Sequence, residues 1–149
     1  MQNKTQNIVN FPNPDGDIDR SRIARWKHEE LFVKGYLIVP SLLLYSYARL
    51  KPYPLTAGEV LFIIHLMDFK WDERAPFPSY KTLAKRMGVS DKMVRRHAQT
   101  LEDKRYLRRV ARRGLTNQFD LTPFFDALRN ATIYNPNFTE EWDRTFKAS

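Results

Sequence analysis

Apolar residues recur along this chain at helical spacing in several separate blocks, and each block predicts one element. Leu42, Leu43, Leu44, Tyr47 and Leu50 predict a helix that Ser41 caps and that stops ahead of Pro52 and Pro54. Val60 to Met67 is apolar almost throughout, broken by His65, so a helix there has little polar face and belongs at the centre of the core. Thr56 and Glu59 ahead of it form a capping box, with Leu55 placed to staple onto the first turn. Leu83, Ala84 and Met87 then share one face of a two-turn helix between Ser79 and Gly88. Val94, Ala98 and Leu101, at i, i+4 and i+7, give the inward face of a longer helix that Ser90 caps. Only Gly88, Val89 and Ser90 separate these two helices, so they must cross steeply.

The remaining blocks read differently. Tyr36 to Val39 is β-branched and aromatic and predicts a short strand closed by Pro40. Tyr106 to Arg112 and Gln118 to Leu121 predict two strands around an Arg113 to Asn117 turn. Thr122-Pro123 opens a further helix carrying Phe124, Phe125 and Leu128. A short helix is expected from Ser21 to Glu30, with Ile23 and Trp26 on one side. Residues 1–18, rich in Asn, Asp, Gln and Pro, read as a flexible arm. In residues 131–149, Tyr134, Phe138, Trp142 and Phe146 recur every fourth position, and Thr139 caps a short amphipathic helix. The fold class is therefore mainly α with a small β-hairpin (α+β): a domain over 19–130, flanked by the arm and the tail.

Charge changes the picture. The segment Ser79–Arg113 holds twelve Lys or Arg against three acids, a balance of +9, while the rest of the chain holds 13 basic and 14 acidic residues. Focused on one structural unit, that excess points to a polyanionic partner rather than to solubility alone. With Val94 at the centre of the buried face, 100° per residue places Lys92, Arg96 and Gln99 opposite it and Arg95 on the flank. Lys and Arg match the N7/O6 edge of guanine and Gln the N6/N7 edge of adenine, so these four are the candidate base readers on double-stranded DNA. Ser79, Tyr80, Lys81, Lys85 and Ser90 are candidate phosphate contacts, which set register without reading sequence. In the hairpin, Arg112 and Arg113 beside Gly114 suit a minor groove, and Arg108 and Arg109 the flanking backbone.

Other chemistries find little purchase. The chain of 149 residues suits one compact domain, and 42% apolar content argues against wholesale disorder. Having no cysteine, it offers no disulfide, Cys-based zinc site or thiol nucleophile. His28, His65 and His97 have no partners at metal spacing, so neither metal nor cofactor is expected. There is no Gly-rich phosphate loop or nucleophile elbow, no convergent small-molecule site, and Asp68, Asp72 and Glu73 read as solvated acids. An enzyme is not expected. No apolar run approaches the roughly 20 residues of a membrane span, nor is there a signal-peptide core, so the expected setting is the cytoplasm.

Pro78-Ser79, Leu83-Ala84, Gly88-Val89-Ser90, Val94-Arg95-Arg96, the Leu101-Glu102 pair and the ending Asn117-Gln118-Phe119-Asp120-Leu121 together resemble bacterial winged helix-turn-helix families of the MarR-like or HTH-36 type. The likeness covers about residues 55–128. It implies a DNA-binding domain whose hairpin is the wing, in a transcription or replication regulator that reaches specificity as a homodimer. His97 stands where such families carry a small residue. A second likeness runs from Gly35 to Tyr47 and on through Leu55-Thr56-Ala57-Gly58-Glu59. It resembles the N-terminal domain of the DnaD replication-initiation family, which implies an alternative role as an oligomerising primosome scaffold. This chain leaves no room for that family's separate DNA-binding domain, and its second helix is far more basic; both departures favour direct DNA binding.

Overall fold

In the computed structural model the described residues are 24–70 and 72–132. The chain divides into two compact units, Met1–Ile38 and Val39–Ser149. The described part of the first unit has Ala24 helical, then a turn around Lys27 and a 3-10 helix, Glu29–Phe32, so the helix expected from Ser21 does not run on to Glu30. The strand expected over Tyr36–Val39 does not form. A β-prone run becomes a strand only where a neighbour accepts its ladder, and among the described residues the one ladder lies elsewhere. The arm over residues 1–18 and the aromatic stripe from Tyr134 to Phe146 fall outside the described residues.

The second unit carries the helices. Helix α1, Ser41–Ser46, continues as a 3-10 turn, Tyr47–Arg49. Pro40, not Ser41, occupies the cap position, and no side chain caps this helix; the extended Pro40 lets Ser41 become the first helical residue. Helix α2, Ala57–Asp68, starts as expected, with the Thr56 hydroxyl accepting from the Glu59 backbone N–H at 3.2 Å. The reciprocal half of the capping box is replaced. Glu59 is buried, and its carboxylate accepts from Lys104 Nζ at 2.8 and 3.1 Å. Helices α3, Tyr80–Met87, and α4, Asp91–Asp103, are capped by Ser79 and Ser90. Gly88 sits between them in the left-handed region at φ 66°, and the N–H of Val89 returns to the carbonyl of Ala84.

Strands β1, Arg108–Val110, and β2, Gln118–Asp120, pair antiparallel with Arg109 opposite Phe119. This hairpin is shorter than the sequence predicts. Tyr106 and Leu107 are buried where the chain closes off α4, and Arg112 bonds across the turn to the Thr116 carbonyl rather than along the ladder. Helix α5, Thr122–Thr132, follows directly. Helix α1 packs on α5, and α2 on both α3 and α4. One core joins Phe62, Ile63 and Leu66 of α2 to Leu83, Val94, Ala98 and Leu101, with Phe119 and Phe124 closing it. The mostly helical unit with one small hairpin after the helices is the predicted architecture.

Candidate nucleic-acid interface

Burial of Val94, Ala98 and Leu101 fixes the rotation of α4 and leaves Lys92, Arg95, Arg96 and Gln99 exposed, as the 100° spacing predicts. The tight α3–α4 turn presents the first turn of α4 at the surface, since Ser90 and Asp91 are exposed too. Lys92 and Arg96 make no hydrogen bond, ion pair or ring contact among the described residues. Arg95 lies with its guanidinium 4.5 Å from the centre of the Tyr80 ring.

Gln99 is in a different state from these three. Its Oε1 accepts from Arg109 Nη2 at 2.7 Å, and its Nε2 donates to Asp103 at 2.8 Å. Both ends of the amide that would read an adenine are occupied within the protein. The cationic surface is thus concentrated in the first half of α4.

Among the expected phosphate contacts, Lys81 and Lys85 are exposed on α3. The Ser79 and Ser90 hydroxyls accept from the backbone N–H groups of Thr82 and Met93 at 3.0 and 3.1 Å. Tyr80 is half-buried, its ring edge-to-face with Phe119 at 5.8 Å. Its hydroxyl accepts from Arg109 Nη1 at 3.1 Å and from Asn117 Nδ2 at 3.4 Å.

The four hairpin arginines separate by position. Arg108 pairs with Asp120 at 2.8 Å from an exposed site. Arg112 spans the turn to Thr116 and lies 4.9 Å from the centre of the Phe77 ring. Arg113 is exposed beside Gly114, which takes φ 68° at the tip. Arg109, expected at the flanking backbone, is turned inward. It donates to Glu102 from Nε at 2.8 Å and from Nη2 at 3.0 Å, in addition to its bonds to Tyr80 and Gln99. Hydrogen bonding to Arg109 holds the Glu102 carboxyl below its ordinary range, against a smaller opposing effect of burial. Arg109 is therefore a strut between α4, α3 and the hairpin. Strand alternation carries the signal for it, since Arg109 shares a face with buried Leu107 while Arg108 and Val110 face out. Glu102, Phe77 and Asn117 carry no such signal, because their partners stand on other elements.

No described helix is long and apolar enough to cross a membrane. Among the described residues, no group of three or more His, Asp or Glu side chains is arranged to hold a metal ion. No curated protein matches the chain. The stretch from Gly35 to Tyr47, read from the sequence as similar to the DnaD family, lies ahead of the span that a family model recognises. That span is residues 53–107, which run from ahead of α2 through α3, the tight turn and α4, and they match a helix-turn-helix domain, a module that suggests DNA binding.

Proposed function

We propose that this protein binds double-stranded DNA sequence-specifically, with the N-terminal half of α4 in the major groove and the hairpin as a wing alongside. The observation that carries this reading is one exposed surface bearing Lys92 and Arg96 opposite a fully buried Val94, and Arg95 on the flank, with no acid engaging those three cations among the described residues. Arg113 at the hairpin tip and Lys81 and Lys85 on α3 extend the cationic surface to phosphates on either side. The role is that of a regulator of transcription or replication, of bacterial, phage or plasmid type, acting in the cytoplasm without catalysis and as a dimer on two half-sites.

Selection of bound fragments from random duplex DNA, followed by anisotropy titration over a range of salt, tests the reading. If about five phosphates are neutralised, log K falls against log salt with a slope near −4 to −5. The double substitution Arg95→Ala with Arg96→Ala is expected to cost roughly 2–5 kcal/mol on the selected site. No enrichment of any sequence, or affinity indifferent to salt, refutes it.

A second reading is an oligomerising replication scaffold. It draws support from the first unit, where Trp26, Leu31, Val33 and Ile38 are all more than half exposed. That reading predicts a multimer by light scattering that residues 39–149 alone do not form, and binding that unrelated DNA competes away equally.

A further inference from the structure

We propose that Tyr80 is a positioning residue that aims the Arg95 guanidinium at a guanine, making one base pair of the site the most stringently read. The inference rests on the DNA-binding reading above and names the side chain that gives it specificity.

Four arginines among the described residues lie over aromatic rings, and three of them already donate to a protein acceptor. Arg86 lies 4.1 Å from the centre of Phe69 and is ion-paired to Asp68. Arg74, beside Phe77, is held by Asp72 through Nε and Nη2. Arg112, over the same ring, donates to Thr116 from Nε and Nη2. Arg95 alone combines a ring contact with no hydrogen bond or ion pair among the described residues. Stacking uses the face of the guanidinium and leaves its in-plane N–H donors available. A planar fork resting over a ring with its donors unspent can pair bidentately with guanine O6 and N7.

The platform is itself fixed from three sides. Phe119 meets the Tyr80 ring edge-to-face, and Arg109 and Asn117 both donate to its hydroxyl. Arg109 is in turn anchored by Glu102. Arg95 therefore surrenders less side-chain freedom on binding than Arg96 or Lys92, which have no such support among the described residues. Preorganised and loosely held cations divide the work: the former discriminates between bases, the latter supply affinity that depends on salt.

The test uses the full-length protein and a set of duplexes that vary the selected site one base pair at a time. Wild type is expected to prefer guanine at one position by about tenfold or more, and Tyr80→Phe, which keeps the ring but loses the two hydroxyl bonds that fix it, to keep a smaller preference at that position. Tyr80→Leu, which leaves the fork unsupported, and Arg95→Lys, which replaces it with a point charge, are expected to lower that preference several-fold at that position, leaving the other positions and the salt slope unchanged. Tyr80→Leu should also abolish the ring-current shift of the Arg95 δ protons in the free protein. Undiminished discrimination in Tyr80→Leu, or a loss spread evenly over all positions, overturns the inference while DNA binding stands. If Tyr80→Leu does not fold, Arg95→Lys decides alone: full retention of the guanine preference overturns it. A wild type that selects no sequence takes down the proposed function, and this inference with it.

Discussion

A β-carbon built on Gly58 would lie 3.0 Å from Cε1 of His97, so any side chain at the second residue of α2 requires the imidazole on α4 to give way. His97 also packs against Phe62, the two ring centres 6.2 Å apart. In Gly58→Ala, a helix-propensity gain of up to about 1 kcal/mol is opposed by crowding of the imidazole. Adding His97→Ala removes the crowding. Urea melts of the four proteins in the cycle should show a favourable coupling of about 1 kcal/mol between the two substitutions. Strict additivity would mean that the ring moves aside without cost.

The buried pair of Glu59 and Lys104 joins the start of α2 to the end of α4. Lys104 Nζ also donates to the carbonyl of Pro54 at 2.9 Å. Lys104→Met strips the cation from a carboxylate whose side chain is 6% exposed, and should destabilise the fold by about 3 kcal/mol in denaturant melts at neutral pH. A cost below about 1 kcal/mol would place this pair with ordinary surface ion pairs.

Acid should destabilise the protein in two stages. Burial, the largest influence on His97, lowers its pKa below the usual 6.5, with Arg96 lowering it further against the pull of Glu59; burial acts likewise on His65. The unfolded imidazoles take up protons first, so stability present above about 6.5 is lost as pH falls through the folded values. Glu102 behaves as a depressed carboxylate: stability present above its ordinary 4.5 is lost as pH drops through the lower folded value. Thermal melts across pH 3–8 should show both losses. His97→Leu should flatten the upper stage, Glu102→Gln the lower, and an unchanged acid limb in Glu102→Gln would discount the Arg109 strut.

Charge removal should separate contacts from supports. Arg96→Ala is expected to lower the salt slope of DNA binding by about one with little change in melting. Arg109→Ala should do the reverse, lowering the melting temperature by several degrees with the salt slope kept. The reverse pattern in paired melts and titrations would exchange the two assignments.

The sequence by itself determined the parts whose physics is local. Thr56, Ser79 and Ser90 cap because each precedes a run of helical spacing, Gly88 turns because glycine tolerates φ 66° cheaply, and Val94, Ala98 and Leu101 settle which way Lys92 and Arg96 face. Only the tertiary structure decided the state of Gln99, Arg109 and Tyr80, which the sequence presents as three more polar surface groups. The bonds of Gln99 to Arg109, of Arg109 to Tyr80 and of Asn117 to Tyr80 join residues ten to thirty-seven apart on different elements, at separations that no periodicity encodes. Tertiary pairing likewise denied Tyr36–Val39 its strand and drew Glu59 away from its own cap to Lys104. Capping, turning and facing follow from a residue and its near neighbours. Whether a guanidinium meets solvent, a ring or a carboxylate depends on which surfaces the packed core brings together.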